Sequence, residues 1–273
     1  MRYRGFKRGK RGPCNICLAD AELTWDHVPP KGCQEFRSIE IHSSLKCIAT
    51  DESLSRQEYS QNGLKYRTLC AKCNNQLGRE DDPYLIDFSR TVTRYLSTEL
   101  WVPEVVSIRT RPIRLLRSVL GHLLAARTSL GTVPESRIRK FILKLGSRLD
   151  ESINIFYWIH PYKCIKIQND CGIIALRQKG DSRTGIFSVL KFFPLAFLIT
   201  SLEQYEGLPN ITSFRNLQLD DEAAVSVDLV RVHHYAWPEH PQDSNNIVLL
   251  SQESRQGITA VPRTRILKSK KTP

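Results

Sequence analysis

Two short cysteine pairs constrain this chain more than anything else in it. Cys14-Asn15-Ile16-Cys17 and Cys70-Ala71-Lys72-Cys73 each present two thiolates from one tight turn, a spacing that suits a tetrahedral zinc ion. Fifty-two residues lie between the pairs, a longer interval than ordinary zinc-ribbon spacing. One shared zinc would force the two ends of that segment together. The pairs alone are compatible with a structural staple, with a module that binds DNA or protein, and with a catalytic unit.

The residues around the pairs narrow the choice. Thr24-Trp25-Asp26-His27-Val28-Pro29-Pro30-Lys31-Gly32 reads as a short strand ending in a polar turn. Trp25 and Val28 are its expected anchors, and Pro29 and Pro30 forbid helix and block further pairing. Tyr66-Arg67-Thr68-Leu69 reads as a second strand leading into Cys70. A helical pattern starts at Ala71, with a possible break at Gly78. The unit is strand, loop, strand, helix, with zinc clamping both ends. Asp26, His27 and Asn74 offer a carboxylate, an imidazole and an amide oxygen, the groups a metal-dependent phosphodiesterase needs at one centre. The blander reading makes His27 a packed or surface residue and Asn74 and Asn75 helix caps.

Asp-His-Val-Pro-Pro followed by Leu-Cys-Ala-Lys-Cys-Asn-Asn resembles the HNH, or ββα-metal, endonucleases. The similarity is to the zinc-stapled branch with four cysteine ligands and Asn in place of the last His, and it covers about residues 10 to 90. The resemblance implies His27 as general base, Asp26 and Asn74 as ligands of a catalytic divalent metal, and Cys14, Cys17, Cys70 and Cys73 on structural zinc. Asn62 is the nearest candidate for the family's middle Asn, which props the base-bearing loop. The segment from Cys33 to Gly63 is long for the family. A neutral imidazole can take a proton from water near pH 7. Asp and Asn oxygens suit Mg²⁺ or Mn²⁺, whereas thiolates suit zinc, so two different metals are expected. Glu80, Asp81 and Asp82 could supply a further metal ligand, but an acidic run reads first as solvated surface.

Charge points to a nucleic-acid partner. The chain carries a net +12 over 273 residues, concentrated in two places. Residues 1–12 hold six basic residues and no acid, and residues 101–150 hold ten basic and three acidic residues. Concentrated positive charge is what a phosphate backbone attracts, through counterion release. Arg8, Lys10, Arg11, Lys31, Lys72 and Arg79 are the candidate nucleic-acid contacts. DNA is the expected partner over RNA.

The basic N-terminus is not followed by an apolar stretch, so no signal peptide is expected. The apolar run 186–200 is short and interrupted by Lys191 and Pro194, which excludes it as a membrane span. Cys33, Cys47, Cys164 and Cys171 lack metal spacing and read as free thiols, which suits a cytoplasmic protein.

The expected fold is α+β: an N-terminal zinc-stapled ββα-metal unit, a helical middle, and a mainly antiparallel β region. The expected divisions are 1–100, 101–150 and 151–273. Helices are predicted over 83–100, 112–127 and 134–149, the second with Arg114 and Arg117 on its surface. His122 within it reads as a satisfied interior or surface residue. Strands are predicted over 153–160, 164–168, 172–178, 185–200 and 225–233, with a turn at Asn169-Asp170 and a hairpin flanked by Cys164 and Cys171. His233, His234 and His240 read as surface residues. Beyond about 252 lies a polar, basic tail with Arg263, Arg265, Lys268, Lys270 and Lys271.

The expected function is a metal-dependent HNH endonuclease acting on DNA. Two alternatives stand beside it: a non-catalytic zinc-stapled nucleic-acid-binding module, and a nuclease effector of bacterial antiviral defence gated by a protein partner. A homodimer is also compatible with the sequence.

Overall fold

A computed structural model describes residues 6–7, 9–43, 58–127, 133–176, 182–240, 246–249 and 257–263. Arg8, Cys47, Arg265, Lys268, Lys270 and Lys271 lie outside the described residues.

The region of the two cysteine pairs is built on a four-stranded sheet. Its strands are β1 (Phe6–Lys7), β2 (Arg11–Pro13), β3 (Asp20–His27) and β6 (Lys65–Cys70), in the order β1-β6-β3-β2. β3 and β6 are antiparallel, and β1 runs parallel to β6. Directly after Cys70 comes α1 (Ala71–Gln76). Gly78 does not end this helix. The chain passes through one π-helical stretch, Leu77–Asp81, into α2 (Asp82–Ser97). Leu85, Phe88 and Val92 recur at helical spacing along α2 and are buried.

The middle is not purely helical. Val105–Thr110 forms β7, which pairs antiparallel with β12 (Ala223–Asp228). α3 (Pro112–Ala125) and α4 (Val133–Leu143) follow. α3 is apolar on more than one face: Ile113, Leu115, Leu116, Val119, Leu120, Leu123, Leu124 and Ala125 are all buried. A helix buried this way is central, not amphipathic at a surface. It packs against α2, α4, β6 and the large sheet. Arg117 is therefore a core residue, 1% exposed, in contrast to its expected surface position.

The large sheet has the order β5 (Glu58–Ser60), β4 (Ile39–Ser43), β14 (Gly257–Pro262), β9, β10, β11, β8, with β13 (Asn246–Leu249) also pairing to β9. β8 (Asn154–Ile159), β9 (Ile165–Leu176), β10 (Ser182–Phe192) and β11 (Leu195–Thr200) are antiparallel neighbours. Both faces are covered: Ile155, Tyr157 and Ile159 join one apolar cluster, while Phe156 and Trp158 join another. A strand buried on both sides reads as a continuous apolar run without alternation. The run 186–200 is such a case, split into β10 and β11 at Phe193-Pro194. Asn169-Asp170 is no turn, because β9 runs straight through it, with Asp170 at φ 52° opposite a bulge between Phe187 and Val189. Cys164 and Cys171 thus do not flank a hairpin, and both are free thiols.

The segment after Cys33 supplies β4 (Ile39–Ser43) and β5 (Glu58–Ser60) to this sheet, where β4 pairs with β14 (Gly257–Pro262). The long insertion is therefore part of the architecture. One apolar cluster runs from Cys14 to Ala260, across the expected divisions at 100 and 150. Among the described residues no helix is long and apolar enough to cross a membrane.

Candidate functional site

Cys14, Cys17, Cys70 and Cys73 converge with their ligand atoms all within 4.8 Å of one another. The first pair sits on a knuckle turn. The Leu18 amide donates to the Cys14 carbonyl at 2.8 Å, and Leu18 takes φ 62°, a conformation unusual for a side-chain-bearing residue. The second pair lies at the strand-to-helix junction, where the Cys70 amide donates to Cys14 Sγ at 3.3 Å. Four thiols this close cannot share charge evenly. A hydrogen bond with Cys73 draws Cys14 down to about 4, whereas burial and then Cys14 itself raise Cys17. A divalent cation relieves that conflict, and the four sulfurs can hold a structural metal such as zinc. No other cluster of three or more His, Cys, Asp or Glu side chains with metal-ligand geometry occurs among the described residues.

The knuckle is docked on α3. Asn15 Nδ2 donates to the carbonyls of Leu124 and Arg127, at 2.7 and 3.0 Å, and Thr68 Oγ1 donates to that of Ala125 at 2.6 Å. These carbonyls lie at the end of a helix, where the next turn supplies no donors, although that of Leu124 also accepts from the Arg127 amide at 3.2 Å.

Asp26 and His27 end β3, opposite Tyr66 and Lys65 of β6. The pairing of β3 with β6 slips between Thr24 and Trp25. That bulge changes which residues face inward: Leu23 is buried, Trp25 is 38% exposed, and Asp26 is buried again. Bulges re-aim side chains in this way. Val28 is an anchor as expected, but Trp25 is not. Its ring lies outside the core, 5.7 Å from Lys65 Nζ and 5.4 Å from the Arg67 guanidinium.

Asn74, in the first turn of α1, fastens onto the same strand. Its Nδ2 donates to Thr24 Oγ1 at 2.9 Å and to the Trp25 carbonyl at 3.1 Å. With the amide nitrogen spent on β3, the amide oxygen is the atom left for a cation. Asp26 Oδ2 is a buried oxygen without a hydrogen-bond donor. Asn75 is exposed, and its carbonyl accepts from Arg79 Nε at 3.3 Å.

His27 is half-buried. Burial and nearby Lys65 hold its pKa below the ordinary histidine value, while Asp26 and hydrogen bonding to Asn62 act in the opposite direction. The neutral ring is thereby favoured near pH 7. Asn62 thus lies against His27, but the loop after His27 is tied down by Gln34. Its Nε2 donates to the carbonyls of Pro29 and Leu64, at 2.9 and 3.3 Å. Gly63 makes room for it, since a Cβ there would come within 1.9 Å of Gln34 Oε1.

Asp81 and Asp82 are not solvated surface. Asp81 is fully buried against Arg117, and Asp82 accepts from Ser118 Oγ at 2.7 Å. His122 is fully buried with Nε2 2.9 Å from Asp82 Oδ1 and Nδ1 3.2 Å from Asp26 Oδ2. The second contact is close but not aligned as a hydrogen bond. Burial works against charge on this ring, yet the carboxylates of Asp82 and Asp26 outweigh it and push the pKa up to about 10. Sequence spacing had no way to find Gln34, His122 or Asp82, because each meets the site through a tertiary contact. His233 stacks on Trp237 with centroids 3.9 Å apart, while His234 and His240 are exposed.

The candidate phosphate contacts divide. Lys10, Lys31, Lys72 and Arg79 are exposed, and Arg11 is exposed but paired with Asp20 at 2.9 Å. Much of the charge of residues 101–150 is turned inward: Arg117 pairs with Asp81, Arg127 with Glu135 and Asp170, and Arg139 with Glu135. That segment offers less free positive charge than its composition suggests.

Comparison of the chain with protein-family models, with curated proteins and with solved structures finds no match.

Proposed function

We propose that this chain is a divalent-metal-dependent phosphodiesterase of the HNH type that cleaves DNA. The observation that carries the reading is the convergence at the end of β3. Asn74 is fastened to the residue before Asp26, the bulge turns the Asp26 carboxylate inward, and a half-buried His27 stands next to it on the outer side.

In this reading His27 takes the proton of the attacking water, for which its neutral state near pH 7 is the competent one. Asp26 and the Asn74 oxygen hold the cation. A bound Mg²⁺ or Mn²⁺ stabilises charge on the phosphate and on the leaving 3′ oxygen. Lys31 and Lys72 are exposed on the loop after His27 and in the first turn of α1, where a phosphate backbone would be met. The four cysteines hold the helix that carries Asn74 against β3.

The test is cleavage of supercoiled plasmid with Mg²⁺ or Mn²⁺, comparing the natural chain with His27→Ala. Metal-dependent nicking that disappears in the variant, with zinc content and DNA binding retained, is the expected result. DNA binding and zinc without cleavage by either metal would replace this reading with a non-catalytic zinc-stapled binding module.

A further inference from the structure

We infer that His122 is a positioning residue for the metal-binding carboxylate of Asp26, held in place by Asp82. The inference rests on the functional reading above, but His122 lies outside the zinc-stapled unit. His122 comes from α3, which is 96 residues downstream of Asp26 in the chain.

The ring stands between two carboxylates. Nε2 lies 2.9 Å from Asp82 Oδ1, and that oxygen also accepts from Ser118 Oγ at 2.7 Å. Asp82 is thus fixed from α3 at two points one helical turn apart. On the other side Nδ1 faces Asp26 Oδ2 at 3.2 Å, and neither atom has another hydrogen-bond partner. Those are two buried polar atoms within contact distance of each other. A buried polar atom left without a partner is costly, so a hydrogen bond between the two is favoured. With Oδ2 engaged by the ring, the other carboxylate oxygen is the one turned toward a cation.

Two backbone features bring His122 here. The π-helical stretch Leu77–Asp81 adds a residue to the turn and directs both Asp81 and Asp82 toward α3. Gly121 then lets the helices touch, since a Cβ there would lie 2.6 Å from Leu77 Cδ1. Outer partners of metal-binding side chains fix ligand orientation, and losing one typically weakens metal binding 10- to 100-fold.

The experiment is Mn²⁺ titration of the full, zinc-loaded chain, read by the electron paramagnetic resonance of free Mn²⁺, for the natural chain, Asp26→Asn, His122→Leu and His122→Asn. The natural chain is expected to bind one Mn²⁺ that Asp26→Asn loses. His122→Leu should weaken that binding by roughly 10-fold or more. His122→Asn keeps an N–H donor near the Nδ1 position and should recover part of the affinity, which a merely structural role does not predict. If His122→Leu fails to fold, Asp82→Asn takes its place and should weaken binding through the unanchored ring. Unaltered Mn²⁺ affinity in every folded His122 and Asp82 variant, while Asp26→Asn abolishes binding, would overturn the inference and leave the functional reading standing. Absence of any Mn²⁺ site sensitive to Asp26→Asn would overturn both.

Discussion

Arg117 Nε lies 3.2 Å from each carboxylate oxygen of Asp81, and both side chains are almost completely removed from solvent. Arg117 Nη1 also donates to the Phe141 carbonyl at 2.7 Å. The pair therefore ties the π-helical stretch to α3, and α3 to α4. A buried pair of this kind is strongly destabilising to break, because the surviving partner is left charged in the interior. Arg117→Leu should lower unfolding stability by about 3–5 kcal/mol. Arg117→Met combined with Asp81→Leu should cost clearly less than either change alone, as urea denaturation of the three proteins would show.

Salt dependence separates the surface cations from the buried ones. Each phosphate contact contributes about −0.9 to the slope of log K against log salt on duplex DNA. Lys31→Ala and Lys72→Ala should each flatten that slope by about one. Arg139→Gln should leave it unchanged while lowering stability, since Arg139 donates to the Asn15 carbonyl and pairs with Glu135 inside the fold. Fluorescence anisotropy across a salt series distinguishes the two groups.

Metal removal should act on fold before function. Cys70→Ser breaks the four-sulfur cluster and should abolish stoichiometric zinc, measured by elemental analysis, with a lower thermal midpoint. Cys164→Ser, remote from the cluster and facing His160 Nε2 at 3.4 Å, should leave zinc content unaltered. Zinc loss in Cys164→Ser would place the metal elsewhere.

His160 provides a pH test far from the candidate site. Burial, with Lys191 and Lys166 nearby, pushes its pKa down to about 3. An unfolded chain returns it to about 6.5. Between those values the unfolded state holds a proton that the folded state lacks, so stability rises with pH and is lost on acidification from about 6.5 toward about 3. The slope from this group alone approaches about 1.4 kcal/mol per pH unit. Chemical denaturation at a series of pH values should show a shallower acid loss for His160→Asn than for the natural chain.

The candidate site was partly legible because its central residues are close in sequence. Asp26 and His27 are adjacent, and Asn74 follows a cysteine that must sit beside the first pair. A local spacing therefore implies a spatial one. The same logic found the main helices and the central strands of the second half, but not the strands β4, β5, β7 and β14, since burial periodicity is a property of neighbouring residues. It failed where the partner was distant. Arg117 looks like a surface cation until Asp81 arrives from another helix, and Asp82 looks solvated until Ser118 and His122 cover it. Trp25 looks like a core anchor until the bulge shifts its phase.

By itself, then, the sequence determined the four-cysteine cluster, the mixed α+β character and the predominance of antiparallel strands in the second half. Short spacings and alternation dictate those. The tertiary structure decided the rest: that β4 and β5 complete the large sheet, that α3 is central, and that His122 lies between Asp26 and Asp82. These features depend on which buried charge finds which counter-charge, and on one extra residue in a strand and one in a helical turn. No pattern of neighbouring residues encodes a contact between groups tens of residues apart; only packing makes it.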